Sequence, residues 1–202
     1  MLQFLIFFDK IPLVKGANME VPKIKIFMEN DKVLRKVSKE VEFPLDDQTK
    51  NLIFDAINYL KASQDEETAE RCHLRAGMGL SFVQMGILKR IFVIANKDEE
   101  TGKFEEHIII NPHITSQSEE LVYVGEGEGC LSINRPVEGI VPRHARITID
   151  YQDIEGKKKS IRVREDIAIA FQHEIDHLNG ILFIDHIDPK NPYKNKNKMR
   201  EI

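Results

Sequence analysis

The feature that most constrains this chain is a His-Glu-x-x-His pattern near its C-terminus, in a segment with the marks of a helix. An apolar run over residues 167–171 precedes the pattern, and Glu165 and Asp166 stand before that run. Acidic side chains favour a helix N-terminus, and glycine commonly follows a helix end, as Gly180 does here. The segment is therefore predicted to be one helix that ends at the glycine.

The two histidines of this helix can serve one metal ion. His173 and His177 are four residues apart, so they lie on the same helical face, one turn above the other. Glu174 lies about 100° further round, beside such an ion, where it can take a proton from a water molecule. The pattern is a signature of metal-dependent hydrolases, although two histidines can also simply pack or cap a helix.

A third ligand is not obvious downstream of the pattern. One group of peptidases with this pattern has a histidine six residues after the second one, and here that position is Phe183. Another group uses a glutamate on a later helix, but no convincing helix follows. The remaining downstream candidates are His186, Asp185, Asp188 and Glu201. An ordinary metallopeptidase is therefore weakened as an interpretation, but it stays an alternative.

A better third ligand lies upstream, at Cys130. Gly127 and Gly129 precede it, and glycines let the backbone approach other groups closely. A thiolate and two imidazoles leave a fourth position open for water, as in catalytic metal sites. The alternative is that Cys130 is a small buried apolar residue. The other cysteine, Cys72, stands in a polar stretch and is interpreted as an ordinary thiol.

Three segments together resemble a known family. Residues 128–132 and 172–177 look like two motifs of peptide deformylase, the enzyme that removes formyl from nascent bacterial proteins. The third motif of that family, Gly-x-Gly-Leu-Ala-Ala-x-Gln, corresponds to residues 77–84, where Ser81 and Phe82 replace the two alanines. The similarity extends over roughly residues 24–188, and an acidic insertion at 64–67 is similar to that of the longer, second class of bacterial deformylases.

The resemblance implies a reaction and a set of roles. It implies release of formate from formyl-methionyl chains through attack by a metal-bound hydroxide, with Cys130, His173 and His177 as ligands. Glu174 would be general base and then general acid. The side-chain amide of Gln84 and the backbone N–H of Leu131 would stabilise the oxyanion. A metal-binding, ribosome-associated module without catalysis is a further alternative.

Residues around the metal follow from the same resemblance. Gly79 would present its backbone to the substrate peptide. The apolar pocket for the substrate methionine is expected from Met78, Tyr123 and Ile169, together with the face of His173. Support behind the metal ligands is expected from a pair between Arg143 and Glu128, and from Asp176.

The ligand set does not select one metal. Cysteine and histidine suit Zn²⁺, Ni²⁺, Co²⁺ or Fe²⁺. The resemblance implies Fe²⁺ as the physiological ion, with the other three possible in purified protein.

Length and patterning predict one α+β domain over residues 1–202. A helix beginning near Asp46 would be scaffold, and antiparallel or mixed sheets would pack around the central metal-binding helix. The predicted strands are residues 91–95, 107–111 (ended by Pro112), 121–124, and a hairpin of 146–152 and 160–164.

The remaining observations concern partners and location. A net charge of −4 argues against general nucleic-acid binding, and no apolar run approaches the about 20 residues of a membrane span. Two unmatched cysteines suit the cytoplasm. Residues 1–18 are interpreted as a possible N-terminal extension without signal-peptide features. The basic tail, 189–202, is expected to be poorly ordered, with at most weak ribosome contact, and a monomer is expected.

Overall fold

The computed structural model describes residues 21–202, so the interpretation of residues 1–18 as an extension lies outside the described residues. The α-helices of this part are α1 (Asp47–Ser63), α2 (Glu66–Cys72) and α3 (Glu165–Leu178). The strands are β1 (Gly79–Ser81), β2 (Ile91–Lys97), β3 (Phe104–Gln117), β4 (Leu121–Tyr123), β5 (Arg143–His144), β6 (Arg146–Gln152), β7 (Lys158–Arg164) and β8 (Arg200–Glu201). None of the helices within residues 21–202 is long and apolar enough to cross a bilayer.

The strands form two sheets. The larger sheet has the order β1-β2-β3-β6-β7, and every neighbouring pair in it is antiparallel. The smaller sheet has the order β5-β4-β8 and is mixed, because β4 and β8 run parallel. The predicted α+β class, with antiparallel and mixed sheets around the helix α3, is confirmed.

Helices cover both faces of the larger sheet, and β2 shows this most clearly. Successive side chains of a strand point to opposite faces. Ile91 and Val93 pack in the cluster that contains the apolar stripe of α1. Phe92 and Ile94 pack in the cluster that contains the apolar residues of α3. The sheet is therefore the middle layer between the scaffold helix and the helix that carries the His-Glu-x-x-His pattern.

Of the first two helices, the sequence predicted α1 and did not predict α2. Helix α1 begins where predicted, because Asp46 accepts a hydrogen bond of 2.6 Å from the N–H of Thr49. Helix α2 was not predicted. Asp65 caps it by accepting a 3.0 Å bond from the N–H of Thr68, but its seven residues are mostly charged and carry no apolar stripe.

The prediction that Pro112 ends a strand is wrong. Strand β3 continues past it to Gln117, and its pairing with β6 shifts register between Ile110 and His113. Asn111 has a φ of 52° in this irregularity, and its side chain bonds to the backbone N–H and C=O of Val41. Proline has no N–H to donate to the sheet, and a bulge leaves one residue unpaired, so a bulge can accommodate a proline inside a long strand.

The C-terminal residues are more ordered than expected for a frayed basic tail. They end in β8, which pairs with β4. The guanidinium of Arg200 contacts the carboxylates of Glu120 and Glu165, each at 2.9 Å. These contacts attach the end of the chain to the smaller sheet and to the start of α3.

Candidate active site

Helix α3 holds the two histidines as predicted. The His173 and His177 rings lie with their centroids 5.0 Å apart. Asn179 caps the helix, and Gly180 follows with a φ of +74°. A Cβ built on Gly180 would lie 2.8 Å from the backbone of Arg35, so this sharp end requires glycine for both conformation and space.

The loop after β4 brings Cys130 to these histidines. Its Sγ lies 3.3 Å from Nε2 of His177. One donor atom from each of Cys130, His173 and His177 lies within 4.8 Å of the other two. These three side chains would hold a metal ion.

The chemistry of this cluster fits a divalent metal. His177 presents Nε2 to the sulfur of Cys130, and one thiolate with two imidazoles is a donor set that divalent metals such as Zn²⁺ take. Burial lowers the pKa of His177 well below its usual value, which favours the neutral ring that binds metals. Burial also acts to lower the pKa of His173, but the neighbouring Cys130 and Glu128 outweigh it and raise that pKa well above normal. The carboxylate of Glu128 therefore places negative charge beside the cluster, which favours a bound cation.

The downstream ligand candidates do not reach the cluster. Phe183 stacks on the His173 ring at 5.9 Å between centroids. His186 directs its Nε2 to Asp176 Oδ2 at 2.7 Å. The metal-ligand cluster found among residues 21–202 contains Cys130 and neither of these two. A peptidase-like third ligand after the second histidine is therefore excluded for the described residues.

A chain of charged groups supports the cluster from behind. Glu128 Oε2 lies 2.9 Å from His173 Nδ1. The Arg143 guanidinium bonds Glu128 through two nitrogens, at 2.7 and 2.9 Å, and reaches Asp176 Oδ2 at 2.6 Å. His186 contacts the same oxygen of Asp176. The predicted pairing of Arg143 with Glu128 is present, and Asp176 orients Arg143 together with His186.

The contacts within this chain fix the ionisation of Glu128, Asp176 and Arg143. Burial acts to raise the pKa of Glu128, but Arg143 and His173 outweigh it and lower that pKa to about 2. Burial likewise acts to raise the pKa of Asp176, and His186 and Arg143 lower it overall. The arginine is 3 % exposed, and its carboxylate partners raise its pKa despite burial. Each of these groups therefore stays charged near neutral pH.

Glu174 lies on another side of α3, against strand β1. Its Oε2 accepts a 2.7 Å hydrogen bond from Ser81 Oγ. A Cβ built on Gly79 would overlap Oε1 and lie 2.9 Å from Cδ, so the carboxylate occupies the space that a side chain at residue 79 would need. Burial raises the pKa of Glu174, opposed by His173 and by the Ser81 hydrogen bond.

The predicted oxyanion donors lie beside Cys130. Gln84 Nε2 is 3.7 Å from Cys130 Sγ and donates to Ser132 Oγ at 3.1 Å. Among the hydrogen bonds of residues 21–202, none is donated by the N–H of Leu131. Both residues line the main cleft. The Cys130 loop is held by Arg75, which donates to the carbonyls of Cys130 and Leu131 and, at 2.8 Å, to that of Ile133.

The cleft itself has a volume of about 560 Å³ and reaches the cluster and Glu174. Met78, Gly79 and Ile169 line it, as predicted for the substrate pocket. Tyr123 does not, so its placement in the pocket is wrong. Its side chain is 2 % exposed, and its hydroxyl donates a 2.5 Å bond to Glu201 of β8. The C-terminal strand, distant in sequence, covers the face that Tyr123 would have presented.

Ser81 and Phe82, the two residues that depart from the family motif, lie in different surroundings. Phe82 is fully buried in the cluster shared by α1 and the sheet, so it fills the core behind the cleft. Ser81 contacts Glu174. The contact of Ser81 has no periodic signal in the sequence, because the strand that carries it is only three residues long. The contacts of Arg75 have no such signal either.

Comparison with known proteins agrees with this site. The profile of the polypeptide deformylase family matches residues 23–193. The peptide deformylase of Oceanobacillus iheyensis is 47 % identical over 168 residues, which are 83 % of this chain and 91 % of that protein. The Latilactobacillus sakei enzyme is 46 % identical over 169 residues, with the same coverage of both chains.

A solved structure extends the agreement to the fold. The peptide deformylase of Thermotoga maritima superposes with a TM-score of 0.64 at 33 % identity, covering 82 % of this chain and 98 % of that one. The sulfur and two imidazoles of the cluster stand at the motifs that led to the family resemblance. The match over most of the length of both chains shows that this chain belongs to the peptide deformylase family.

Proposed function

We propose that this protein removes the N-formyl group from peptides that begin with formyl-methionine, releasing formate. One observation carries the proposal: a sulfur, two imidazoles and a buried carboxylate converge at one cleft. Family membership supports a metal-dependent reaction of this kind. The nascent chains of translation are the proposed source of such peptides.

Cys130, His173 and His177 would hold the metal. A divalent ion bound there supplies a Lewis acid that polarises the formyl oxygen and lowers the pKa of water. The ligand types suit Fe²⁺, Zn²⁺, Ni²⁺ and Co²⁺, so any of these ions can occupy the site in purified protein. We propose Fe²⁺ in the cell, because the family resemblance implies it. The protein's own contribution is to keep the ligands fixed, through Glu128 and Arg143, and neutral where they must be, as at His177.

Glu174 acts as the base and then the acid. Its carboxylate lies in the cleft wall beside the ligand His173, within the same helix. It takes a proton from the attacking water and later delivers that proton to the departing amine nitrogen. Burial raises its pKa, which brings its proton affinity closer to what a proton shuttle near neutral pH needs.

Two donors face the position where charge develops on the formyl oxygen. The amide Nε2 of Gln84 is oriented because its Oε1 accepts the N–H of Ser81 at 2.8 Å. The N–H of Leu131 is presented by a loop that Arg75 holds by its carbonyls. Each donor of this type is typically worth about 3 kcal/mol of activation barrier.

Strand β1 offers a place for the substrate backbone. It lies at the edge of the larger sheet, so a peptide can pair with it without any reading of side chains. Gly79 would pair with the peptide, and Met78, Ile169 and the ring of His173 would surround the methionine side chain. Backbone pairing with one apolar pocket suits substrates that share their first residue and vary after it.

Location and partners are proposed on broader grounds. We infer one catalytic domain acting as a cytoplasmic monomer, without binding specific nucleic-acid sequences, in line with the net charge of −4. Weak contact with the ribosome through lysines of the C-terminal segment would bring the enzyme to its substrates.

Formate release tests the proposed function. Protein purified without oxygen and loaded with Fe²⁺ is expected to release formate from a formyl-Met peptide and not acetate from the acetyl-Met analogue. Glu174→Ala is expected to lower kcat by about a thousandfold, as for the loss of a general base, while metal content stays at the wild-type level. Full turnover in that variant would contradict the assigned base.

A Cys130 variant tests the ligand set separately. Cys130→Ala is expected to lose most bound metal, since a thiolate is one of three protein ligands. If it retains metal and cleaves unformylated peptides, the metallopeptidase alternative is restored. Bound metal without formate release in the wild-type protein would instead favour the non-catalytic alternative.

A further inference from the structure

We propose that Ser81 is a positioning residue for Glu174, which it holds against strand β1 through its hydroxyl group. The proposal rests on the proposed function, because it concerns the base of that reaction. The motif that carries the family resemblance has alanine where this chain has Ser81, so the hydroxyl group is not part of that motif.

The geometry of β1 places the hydroxyl at the carboxylate. Gly79 and Ser81 share one face of the strand, while Leu80 between them packs in the cluster with α1. Ser81 is fully buried, and its Oγ lies 2.7 Å from Oε2 and 2.9 Å from the main-chain oxygen of Glu174. Gly79 leaves room for the carboxylate, and Ser81 bonds it.

The carboxylate has few other means of support. Glu174 is 3 % exposed, and among the hydrogen bonds of residues 21–202 its carboxylate oxygens have Ser81 as their side-chain partner. A buried carboxylate without that bond would lose the interaction that selects its rotamer. By contrast, the ligand histidine next to it is held by Glu128.

A hydroxyl group can hold this carboxylate without adding a charge beside it. It carries one hydrogen and two lone pairs, so it can donate or accept. Here the Ser81 hydroxyl lies within hydrogen-bond distance of both the carboxylate and the main-chain oxygen of Glu174.

The backbone of Ser81 has a separate role, which makes the side chain testable. Its N–H donates to Gln84 Oε1, and this bond does not depend on the side chain. Ser81→Ala therefore removes the link to Glu174 and keeps the link to the proposed oxyanion donor. Ser38→Ala is a matched control, because Ser38 is a buried serine whose hydroxyl has no partner among the described residues.

The test is a double-mutant cycle with the metal-loaded full-length protein. For Ser81→Ala we expect kcat to fall about tenfold, in line with loss of orientation of a general base, with KM and metal content unchanged. In the Glu174→Ala background the same substitution is expected to change nothing, because the residue acts through Glu174. Ser38→Ala is expected to keep the wild-type kcat.

Two results would overturn the proposal. One is an unchanged or higher kcat in Ser81→Ala. The other is an equal loss in the Glu174→Ala background, which would indicate a general effect on the fold. A crystal structure of Ser81→Ala gives a readout independent of turnover: the carboxylate is expected to leave its position over Gly79, and an unmoved carboxylate would refute the role. Failure of the proposed function would appear instead as no formate release by the wild type.

Discussion

The two sides of helix α3 hold their functional groups in different ways. Behind the metal-ligand cluster, His173 is fixed by Glu128, which is fixed by Arg143, which also bonds Asp176. We call the three residues behind His173, namely Glu128, Arg143 and Asp176, the charged support. On the side that faces β1, Glu174 rests in the space above Gly79 and receives one bond from a neutral hydroxyl.

The difference corresponds to what each group must do. A metal ligand must keep one geometry, and a network of opposite charges behind it fixes that geometry. A general base must gain and lose a proton in each turnover, so a strong cationic partner would oppose it. One helix therefore carries metal ligands that are held rigidly and a base that is held by a single neutral contact.

The largest effect is expected from breaking the charged support at its centre. Arg143→Ala leaves the carboxylates of Glu128, which is buried, and Asp176, which is partly buried, without their cation, and we expect the free energy of unfolding to fall by about 3–5 kcal/mol. Metal affinity should fall as well, because Glu128 can no longer hold His173. Urea unfolding of the metal-loaded protein and metal titration would measure both.

Arg146→Ala is the matched control for that variant. Arg146 also pairs with a glutamate, Glu120, but the two side chains are 38 % and 37 % exposed. The expected loss is at most about 1 kcal/mol. Equal losses in the two variants would mean that the charged support is no more rigid than an ordinary surface ion pair.

Sequence reasoning reached the parts of this site that depend on local patterns. The apolar run, the acidic start and Gly180 define α3, and the helical period puts both histidines on one face. Cys130 was reached through its glycine context and through the family motifs. The pairing of Glu128 with Arg143 followed from charge and resemblance. All of these are properties of short segments or of known combinations of segments.

The parts that the sequence could not supply depend on contacts between distant segments. The sequence predicted Tyr123 as a pocket residue, but β8, almost eighty positions later in the chain, covers it. The residues of β1 form a three-residue strand, too short for a periodic pattern, so the contact of Ser81 with Glu174 was not predicted. Helix α2 was not predicted either, because it has no apolar stripe from which helical periodicity could be recognised.

A second prediction tests the charged support through pH. The pKa of Glu128 is about 2 in the folded protein against 4.5 for an ordinary glutamate, which corresponds to about 3 kcal/mol. Because the pKa is lowered, this stabilisation is present above about pH 4.5 and is lost as the pH falls towards 2. Glu128→Gln should lower the free energy of unfolding near pH 7 by about that amount.

The gap between the two proteins should then close in acid. Unfolding curves between pH 7 and 3, with metal occupancy measured at each pH, would follow the difference. A gap that stays constant over this range would show that Glu128 does not gain its stability from being ionised. A gap that widens in acid would contradict the sign of the pKa shift.

A third prediction addresses the side of α3 that faces β1. Gly79→Ala would place a Cβ where the Glu174 carboxylate lies, and the carboxylate must move. A displacement of about 1 Å in a catalytic group can cost roughly a hundredfold in rate, so kcat should fall by that order. Gly129→Ala is the control, because a Cβ there meets nothing within 4 Å. Similar losses in both variants would argue that any added methyl near the cleft is harmful.

The smallest effect is expected at His186, which contacts the charged support from the side of the solvent. His186 contacts Asp176 at 2.7 Å, but its side chain is 34 % exposed, so solvent screens the interaction. His186→Gln is expected to lower the free energy of unfolding by at most about 1 kcal/mol and to leave kcat and metal affinity at wild-type values. Arg143 still bonds Asp176 in that variant. If metal affinity falls as far as in Arg143→Ala, the rigid region extends to the surface, and the contrast between the two sides of α3 includes the segment after the helix.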